Sequence, residues 1–321
     1  MHASVVVRTK DEAERLRLTL TSLARQSVAA EVVVVDDGSS DRTPEVLAAA
    51  AGDLALRVVT HAAARGRSAA SNAGAARASG DVLVFLDGDT LAGPAVVERH
   101  LALHAAQPHA IGRGETYHLR GTRFFRDPEE GTPWPGGEAR LLGREARQLA
   151  RMRVTRRAIV EDFASIDASA EPGVYPGIAA RRLYELEMEA LHSDPRCGVL
   201  WAAASGSNFS VQKEAFERAG GFREDLDLNE HRELALRLYR DGLRLVPVDG
   251  ARTYHMTHRT ALRDPLVQRE WEQIFYRAHP LPEVKLLARF WASLAPRSAI
   301  PLEARINSLA ELAAAARTPR C

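Results

Sequence analysis

The chain is short of cysteine, of aromatic residues, of net charge and of long apolar runs. Its two cysteines, Cys197 and Cys321, lie far apart. They make neither a disulfide framework nor a zinc-site spacing, and a reducing compartment fits best. Aromatic residues are 6% of the chain, which argues against a stacking surface for single-stranded nucleic acid. The 43 basic and 42 acidic residues leave a net charge of +1, so bulk electrostatics gives no reason to expect a nucleic-acid partner. No apolar run approaches the roughly 18 residues of a spanning helix. No signal-peptide pattern is visible, because Arg8 and Lys10 follow directly on Val5-Val6-Val7. The expectation is a soluble, cytoplasmic protein with no membrane span. Peripheral membrane contact through Arg-rich helices stays open, as does the oligomeric state.

What the chain does have is 45% hydrophobic residues over 321 positions, enough to bury the core of a large α/β domain. Short apolar runs at residues 4–7, 32–35, 54–60 and 82–86 read as strands. Between them, 11–26, 43–51 and 67–78 have helical composition, with Leu16, Leu20 and Leu23 at helical spacing in the first. Strands alternating with helices of about ten residues predict a parallel sheet built from right-handed crossovers. Another helix is expected at 94–107. Residues 112–140 show no period and read as a loop region, 138–159 as an Arg-rich helix, 165–177 as a loop and 178–193 as a helix. Helices are expected at 213–219 and 229–240, with Asn229 as N-cap of the second, and a strand at 243–248. The tail, 263–317, is helical in composition.

The chemistry concentrates at strand ends. The run at 79–90, SGDVLVFLDGDT, delivers Asp87-Gly88-Asp89 at the C-terminal end of a buried strand. Taken alone, this reads first as a strand running into an Asp-Gly turn. Yet the first strand brings Thr9 to the same edge and the second brings Asp36-Asp37, and that edge is where open α/β sheets bind ligands. Carboxylates there can accept from ribose hydroxyls or a base N–H, or hold a divalent cation through oxygen. Helix N-termini following each strand favour phosphates. Together these residues point to a metal–nucleotide site.

VVVRTKDEAERLRLTLTSL, EVVVVDDGSSDRTPEVL and ARGRSAASNAGAARASGDVLVFLDGDT resemble, in order and spacing, the N-terminal signatures of the family-2 glycosyltransferases of GT-A fold, which carry an Asp-X-Asp motif. The resemblance resumes at GSNFSVQKEAFERAGGFREDLDLNEHRELALRLYRDG, residues 206–242. It implies a Rossmann-related, mostly parallel sheet flanked by helices, with a helical insertion and a helical C-terminal tail. The division it suggests is a nucleotide-sugar half at 1–112, a helical and loop insertion at 113–197 on the acceptor side or acting as a lid, an acceptor-binding and catalytic half at 198–260, and C-terminal helices at 261–321.

By the same resemblance the protein is a metal-dependent transferase taking a sugar from a nucleoside-diphosphate donor, with UDP the default and Mn or Mg as cofactor, and transferring it with inversion. Thr9 and Asp37 would contact the nucleoside. Asp87 would approach the ribose and the metal, Asp89 would bind the metal, and His255 would complete it, with His258 as a competing ligand. Gly206 and Asn208 would line the sugar and acceptor side. The family's base is the Asp of a Glu-Asp pair; here Glu230-His231 stands in its place, and either residue is the candidate base. The Arg that often precedes Asn72 in the family is Ser71 here, which leaves Arg65 and Arg67 for the diphosphate. Trp134 and Trp201 are candidates for stacking on an acceptor, or else fill the core. The acceptor would be a glycan, a lipid carrier, or a free or carrier-bound small molecule. A sugar-phosphate nucleotidyltransferase would expect a Gly-rich N-terminal loop with a following Lys, which VVVRTKDEAER lacks. The third reading is a non-catalytic sugar-nucleotide-binding protein, which the Glu-His replacement alone favours.

Overall fold

A computed structural model describes residues 1–172, 183–258, 265–295 and 298–317 of the chain. The strands are β1 (Ala3–Thr9), β2 (Glu31–Asp36), β3 (Ala55–Thr60), β4 (Val82–Asp87), β5 (Thr90–Ala92), β6 (Ala110–Leu119), β7 (Phe125–Asp127), β8 (Thr132–Pro133), β9 (Glu171–Pro172), β10 (Phe209–Gln212) and β11 (Arg244–Met256). The helices of the first half are α1 (Ala13–Leu23), α2 (Thr43–Ala50), α3 (Arg67–Arg77) and α4 (Val96–Ala106). Then come the short α5 (Ala146–Arg151), α6 (Arg156–Glu161) and α7 (Phe163–Ser169), followed by α8 (Leu183–Ser193), α9 (Lys213–Arg218), α10 (Glu230–Arg240), α11 (Glu270–Ala278), α12 (Pro282–Ser293) and α13 (Leu309–Arg317).

The main sheet runs β3-β2-β1-β4-β10-β6-β11-β5, with β9 on β6. Its first four strands are parallel, as the β–α alternation predicts. β10 enters antiparallel to both β4 and β6, and β6 and β11 are again parallel. The expected α/β fold is thus present, with a parallel nucleotide-type half and a mixed second half. The all-Val and Val/Leu/Phe runs of β1, β2 and β4 are buried on both faces because helices cover both. One core lies between the sheet and α1, α2 and α4, through Leu16, Leu20, Val34 and Val84. A larger one joins the other face, through Val6, Leu83 and Phe85, to α8 through α13. Full burial of a Leu such as Leu83 contributes about 2–3 kcal/mol. Among the described residues, no helix is long and apolar enough to cross a membrane.

Several sequence expectations need correction. Residues 110–119 are a ten-residue strand, β6, and not the start of a loop. The glycines that hide it are there for close approach. A Cβ on Gly112 would lie 2.2 Å from Ser210 Oγ, and one on Gly114 would lie 2.2 Å from Asn208 Oδ1. The expected boundary between 112 and 113 therefore falls inside a strand. The Arg-rich 138–159 stretch is a 3-10 turn (Glu138–Leu141) and two short helices, not one helix. Gly143 has φ +78 after the turn, and Thr155 starts α6 afresh by accepting the Ala158 N–H on its side chain. Residues 165–169 of the expected 165–177 loop belong to α7, because Asp162 caps it by accepting the Ser165 N–H. Residues 173–177 of that loop, the first turn of the expected 178–193 helix, the 260/261 boundary and Cys321 lie outside the described residues. β11 does not stop at 248; a register shift between Val248 and Arg252 lets it continue to Met256. Asn229 precedes α10 but does not cap it with its side chain. Its φ is +64, and its Oδ1 accepts from Arg232 Nη1 at 3.0 Å.

Candidate active site

The C-terminal ends of β1, β2 and β4 lie side by side because the strands are parallel and in register, Thr9 beside Asp36 and Arg8 beside Asp87. The loops beyond them are tied together. Asp11, at φ +53, accepts the Ser40 N–H at 2.7 Å and donates its own N–H to Ser39 Oγ at 3.0 Å. Asp41 accepts the Ala13 N–H at 2.9 Å, satisfying a free donor at the start of α1. Above this edge lies a cleft of about 470 Å³, whose lining includes Thr9, Asp37, Arg67, Asp87, Asp89, Gly206, His231, His255 and His258.

Asp37 lines the cleft and is also tied to its wall. It accepts the Arg65 N–H at 2.8 Å, the Gly66 N–H at 2.9 Å, and pairs with His61 Nδ1 at 2.7 Å. Burial works against its charge, but these donors win and hold its carboxyl below the usual range. The Gly66 N–H uses one side of Oδ2, so acceptor capacity remains. Arg65 points away, paired with Glu224, whereas Arg67 is in the lining.

Asp87 is held by arginine. Arg8, a strand residue that apolar patterning conceals, reaches Asp87 Oδ1 through Nε at 2.7 Å and Glu230 Oε1 through Nη1 at 3.0 Å. Arg67 lies 3.6 Å from Asp87 and 3.9 Å from Glu230. Two guanidiniums and two carboxylates thus join β1, β4, α3 and α10. Arg8 Nη1 also lies 3.4 Å from Ser71 Oγ, so a guanidinium from β1 sits next to the position where an Arg was expected.

Asp89 faces two imidazoles: His255 Nδ1 at 3.2 Å and His258 Nε2 at 2.7 Å. Burial would raise its carboxyl, but the histidines bring it well below the ordinary value. Glu12, which the motif reading overlooked, converges here as well, 3.8 Å from His258. Its carboxyl is pushed well up by burial and then by Asp89 and Asp87. One ligand atom each from Glu12, Asp89 and His258 lie within 4.8 Å of one another. Two carboxylates and an imidazole, one of the carboxylates strained by like charge, fit a divalent cation in donor type and charge. Of the set expected from the sequence, Asp87 pairs with Arg8 while His255 Nδ1 still faces Asp89; Glu12 and His258 stand beside Asp89 as further candidate ligands. A glutamate three residues past a strand-end Thr was the available signal.

Glu230 and His231 differ in access. Glu230 is fully buried, and Arg67, His231 and Arg8 overcome its burial to keep it well below the normal carboxyl range. His231 lines the cleft, and burial lowers it to about 4. Its Nε2 accepts from Arg232 Nη1 at 2.8 Å, so in the neutral ring Nδ1 carries the proton, 3.6 Å from Glu230 Oε2.

Asn208 does not reach the cleft. Fully buried at φ +64, it donates to the carbonyls of Glu115 and Ala251 and faces His100 Nε2 through Oδ1 at 2.8 Å. It anchors the loop that carries Gly206, where a Cβ would lie 3.0 Å from His231 Nδ1. Trp201 is core, 1% exposed against Phe275. Trp134 lines a separate hollow with Arg123, Phe124 and Arg140, which His258 also borders.

The model of Glycosyl transferase family 2 matches residues 4–163. Validoxylamine A glucosyltransferase of Streptomyces hygroscopicus subsp. jinggangensis (strain 5008) is 31% identical over 305 residues, 90% of this chain and 63% of that protein. The same enzyme of Streptomyces hygroscopicus subsp. limoneus is 31% identical over 90% of this chain and 58% of its own length. The chain thus spans about three fifths of these relatives. Among solved structures, S. aureus TarS 1-349 in complex with UDP-GlcNAc superimposes with a TM-score of 0.57 at 17% identity, over 94% of this chain and 77% of that one. It shares the fold.

Proposed function

The chain belongs to glycosyl transferase family 2, and from that premise we propose that it transfers glucose from a UDP-linked donor to a hydroxyl of a polyhydroxylated small molecule, with inversion and with help from a divalent cation. The observation that carries this is the meeting of Asp37, Asp87, Asp89 and His231 in one cleft. The names of the validoxylamine A glucosyltransferases support glucose as the sugar, and the small hydroxyl-rich acceptor is part of the proposal.

Thr9 and Asp37 hold the nucleoside, Asp37 with the free side of its carboxylate. Arg67 lies beside Asp87 where the diphosphate would run, and Arg8 fixes Asp87 from below. Glu12, Asp89 and His258 would hold the cation, which supplies charge to offset the departing diphosphate. His231 receives the acceptor proton at Nε2, the acceptor hydroxyl taking the place that Arg232 Nη1 occupies in the acceptor-free protein. Glu230 Oε2 and His231 Nδ1 are both without a hydrogen-bond partner and lie 3.6 Å apart, so a small closure would let Glu230 hold the Nδ1 proton as a positioning group. The division into a nucleotide half, a middle segment and an acceptor half remains part of the proposal.

The test is release of UDP from UDP-glucose with Mn, with and without validoxylamine A, alongside GDP- and dTDP-glucose. Acceptor-dependent UDP release supports the reading. Binding without turnover supports a non-catalytic protein, and pyrophosphate formed from UTP and glucose 1-phosphate supports a nucleotidyltransferase. Asp89→Asn is expected to lose metal-dependent turnover at least a hundredfold. His231→Gln is expected to lower kcat a hundredfold or more without raising the donor half-saturation. Full activity in His231→Gln would remove it as the base.

A further inference from the structure

Part of the cleft lining comes from outside the strand ends: Glu187 of α8, Asn229 and Arg232 at the start of α10, and Trp291 of α12. Arg232 is the hub of this wall. Its Nε donates to the Ala202 carbonyl at 2.7 Å, Nη1 to Asn229 Oδ1 at 3.0 Å and His231 Nε2 at 2.8 Å, and Nη2 to Glu187 Oε1 at 2.8 Å. Arg113 donates to the Ala203 carbonyl at 2.9 Å and reaches the other Glu187 oxygen at 3.3 Å. Both guanidiniums are engaged by protein, so neither is the main ligand-binding group.

Two uncharged donors on the same wall are unspent. Trp291 is 1% exposed and Asn229 3%, yet Trp291 Nε1 and Asn229 Nδ2 have no hydrogen-bond partner. Buried donors are rarely left unpaired, because they give up water and gain nothing. The indole ring itself is packed: Arg232 lies 4.9 Å over its centroid, and the Trp271 ring is 5.2 Å away, tilted 48°. The N–H edge is therefore the part of Trp291 that a ligand would satisfy.

We propose that Trp291 Nε1 and Asn229 Nδ2 form the acceptor subsite, holding oxygens of a hydroxyl-rich acceptor, so that α12 from the C-terminal part of the chain sets acceptor specificity. This rests on the transferase reading above and names the residues that choose its second substrate. A hydroxyl or ring oxygen satisfies both donors, and an alkyl chain satisfies neither.

The experiment measures UDP release from UDP-glucose and Mn against rising methyl β-D-glucopyranoside, myo-inositol and 1-hexanol. Wild type is expected to saturate with the two polyols and not to respond to hexanol. Trp291→Phe keeps the ring and deletes the N–H. It should raise the polyol half-saturation about fivefold or more, while the UDP-glucose half-saturation stays within twofold. Asn229→Gly, which suits φ +64, should act in the same direction and decides the matter if Trp291→Phe does not fold. Unchanged polyol half-saturation in the folded variants overturns the subsite, as does a wild type that binds UDP-glucose but answers only to hexanol or to no polyol. A wild type that binds no sugar nucleotide overturns the transferase reading itself.

Discussion

Arg8 shows how one residue can organise a site from beneath it. A charged side chain in a fully buried strand is costly unless it is paired, and Arg8 is paired twice, to Asp87 and to Glu230. The three groups are mutually dependent: the guanidinium orients Asp87 at the cleft edge and, with Arg67 and His231, keeps the buried Glu230 ionised. Arg8→Met leaves Glu230 charged and buried with Arg67 at 3.9 Å and the neutral His231 at 3.6 Å, and is expected to destabilise the fold by about 3 kcal/mol. Adding Glu230→Gln removes the stranded charge, so the double variant should be more stable than Arg8→Met alone. Urea unfolding of the two single variants and the double one checks this, and strict additivity would show that the pair is not coupled. At this scale the sequence was only partly legible. Thr9, Asp37, Asp87 and Asp89 announce themselves by standing at the ends of apolar runs. Arg8 stands inside such a run, and Glu12 lies on the loop beyond it, marked only by its distance of three residues from the strand-end Thr9.

At the scale of elements, the seam between β10, β6 and α4 holds the second half of the sheet in place. His104 Nε2 faces Ser210 Oγ at 2.9 Å, Ser210 Oγ faces His100 Nδ1 at 2.7 Å, and His100 Nε2 faces Asn208 Oδ1 at 2.8 Å. Asn208 uses its amide protons on the Glu115 and Ala251 carbonyls, so His100 must donate at Nε2 and accept at Nδ1. Both imidazoles are neutral in this chain of bonds, and burial lowers each to about 4. An unfolded His takes up its proton near 6.5. The unfolded state therefore binds more protons as pH falls below about 6.5, and stability is lost progressively until about pH 4. The expected loss from His100 is about 3 kcal/mol across that window. Thermal melts from pH 7 to 4 should show the decline, and His100→Gln should flatten it; an equal slope in both proteins would refute the account. The same seam explains which elements could be read. β1, β2 and β4 are continuous apolar runs, so their hydrophobicity identifies them. β6 carries Gly112 and Gly114 because Ser210 and Asn208 press against it, and Glu115, Thr116 and His118 because its far end meets polar surroundings. Its strand partners lie about 95 positions later in β10 and about 135 later in β11, which no local window contains.

At the scale of the whole molecule, the candidate cation site is assembled from three distant places: Glu12 after β1, Asp89 after β4 and His258 just past β11. No stretch of sequence holds two of these ligands, and the motif-based choice of His255 over His258 turned on a difference of three residues at a strand end. Folding brings two acidic groups together in a buried corner, and Glu12 bears the cost through burial and repulsion from Asp89 and Asp87. A cation that binds only the folded chain repays that repulsion as stability, about 2.7 kcal/mol at a hundred times its dissociation constant. Two opposite effects should therefore appear in one variant. Glu12→Gln removes a like charge and is expected to raise the melting temperature without metal, while abolishing the rise that Mn produces in the wild type. His258→Gln should also abolish the Mn response, whereas Asp87→Asn, whose carboxylate serves Arg8, should keep most of it. Melting curves with and without Mn decide between the two ligand sets. A response that survives Glu12→Gln and His258→Gln but disappears with Asp87→Asn and His255→Gln would restore the set first expected from the sequence.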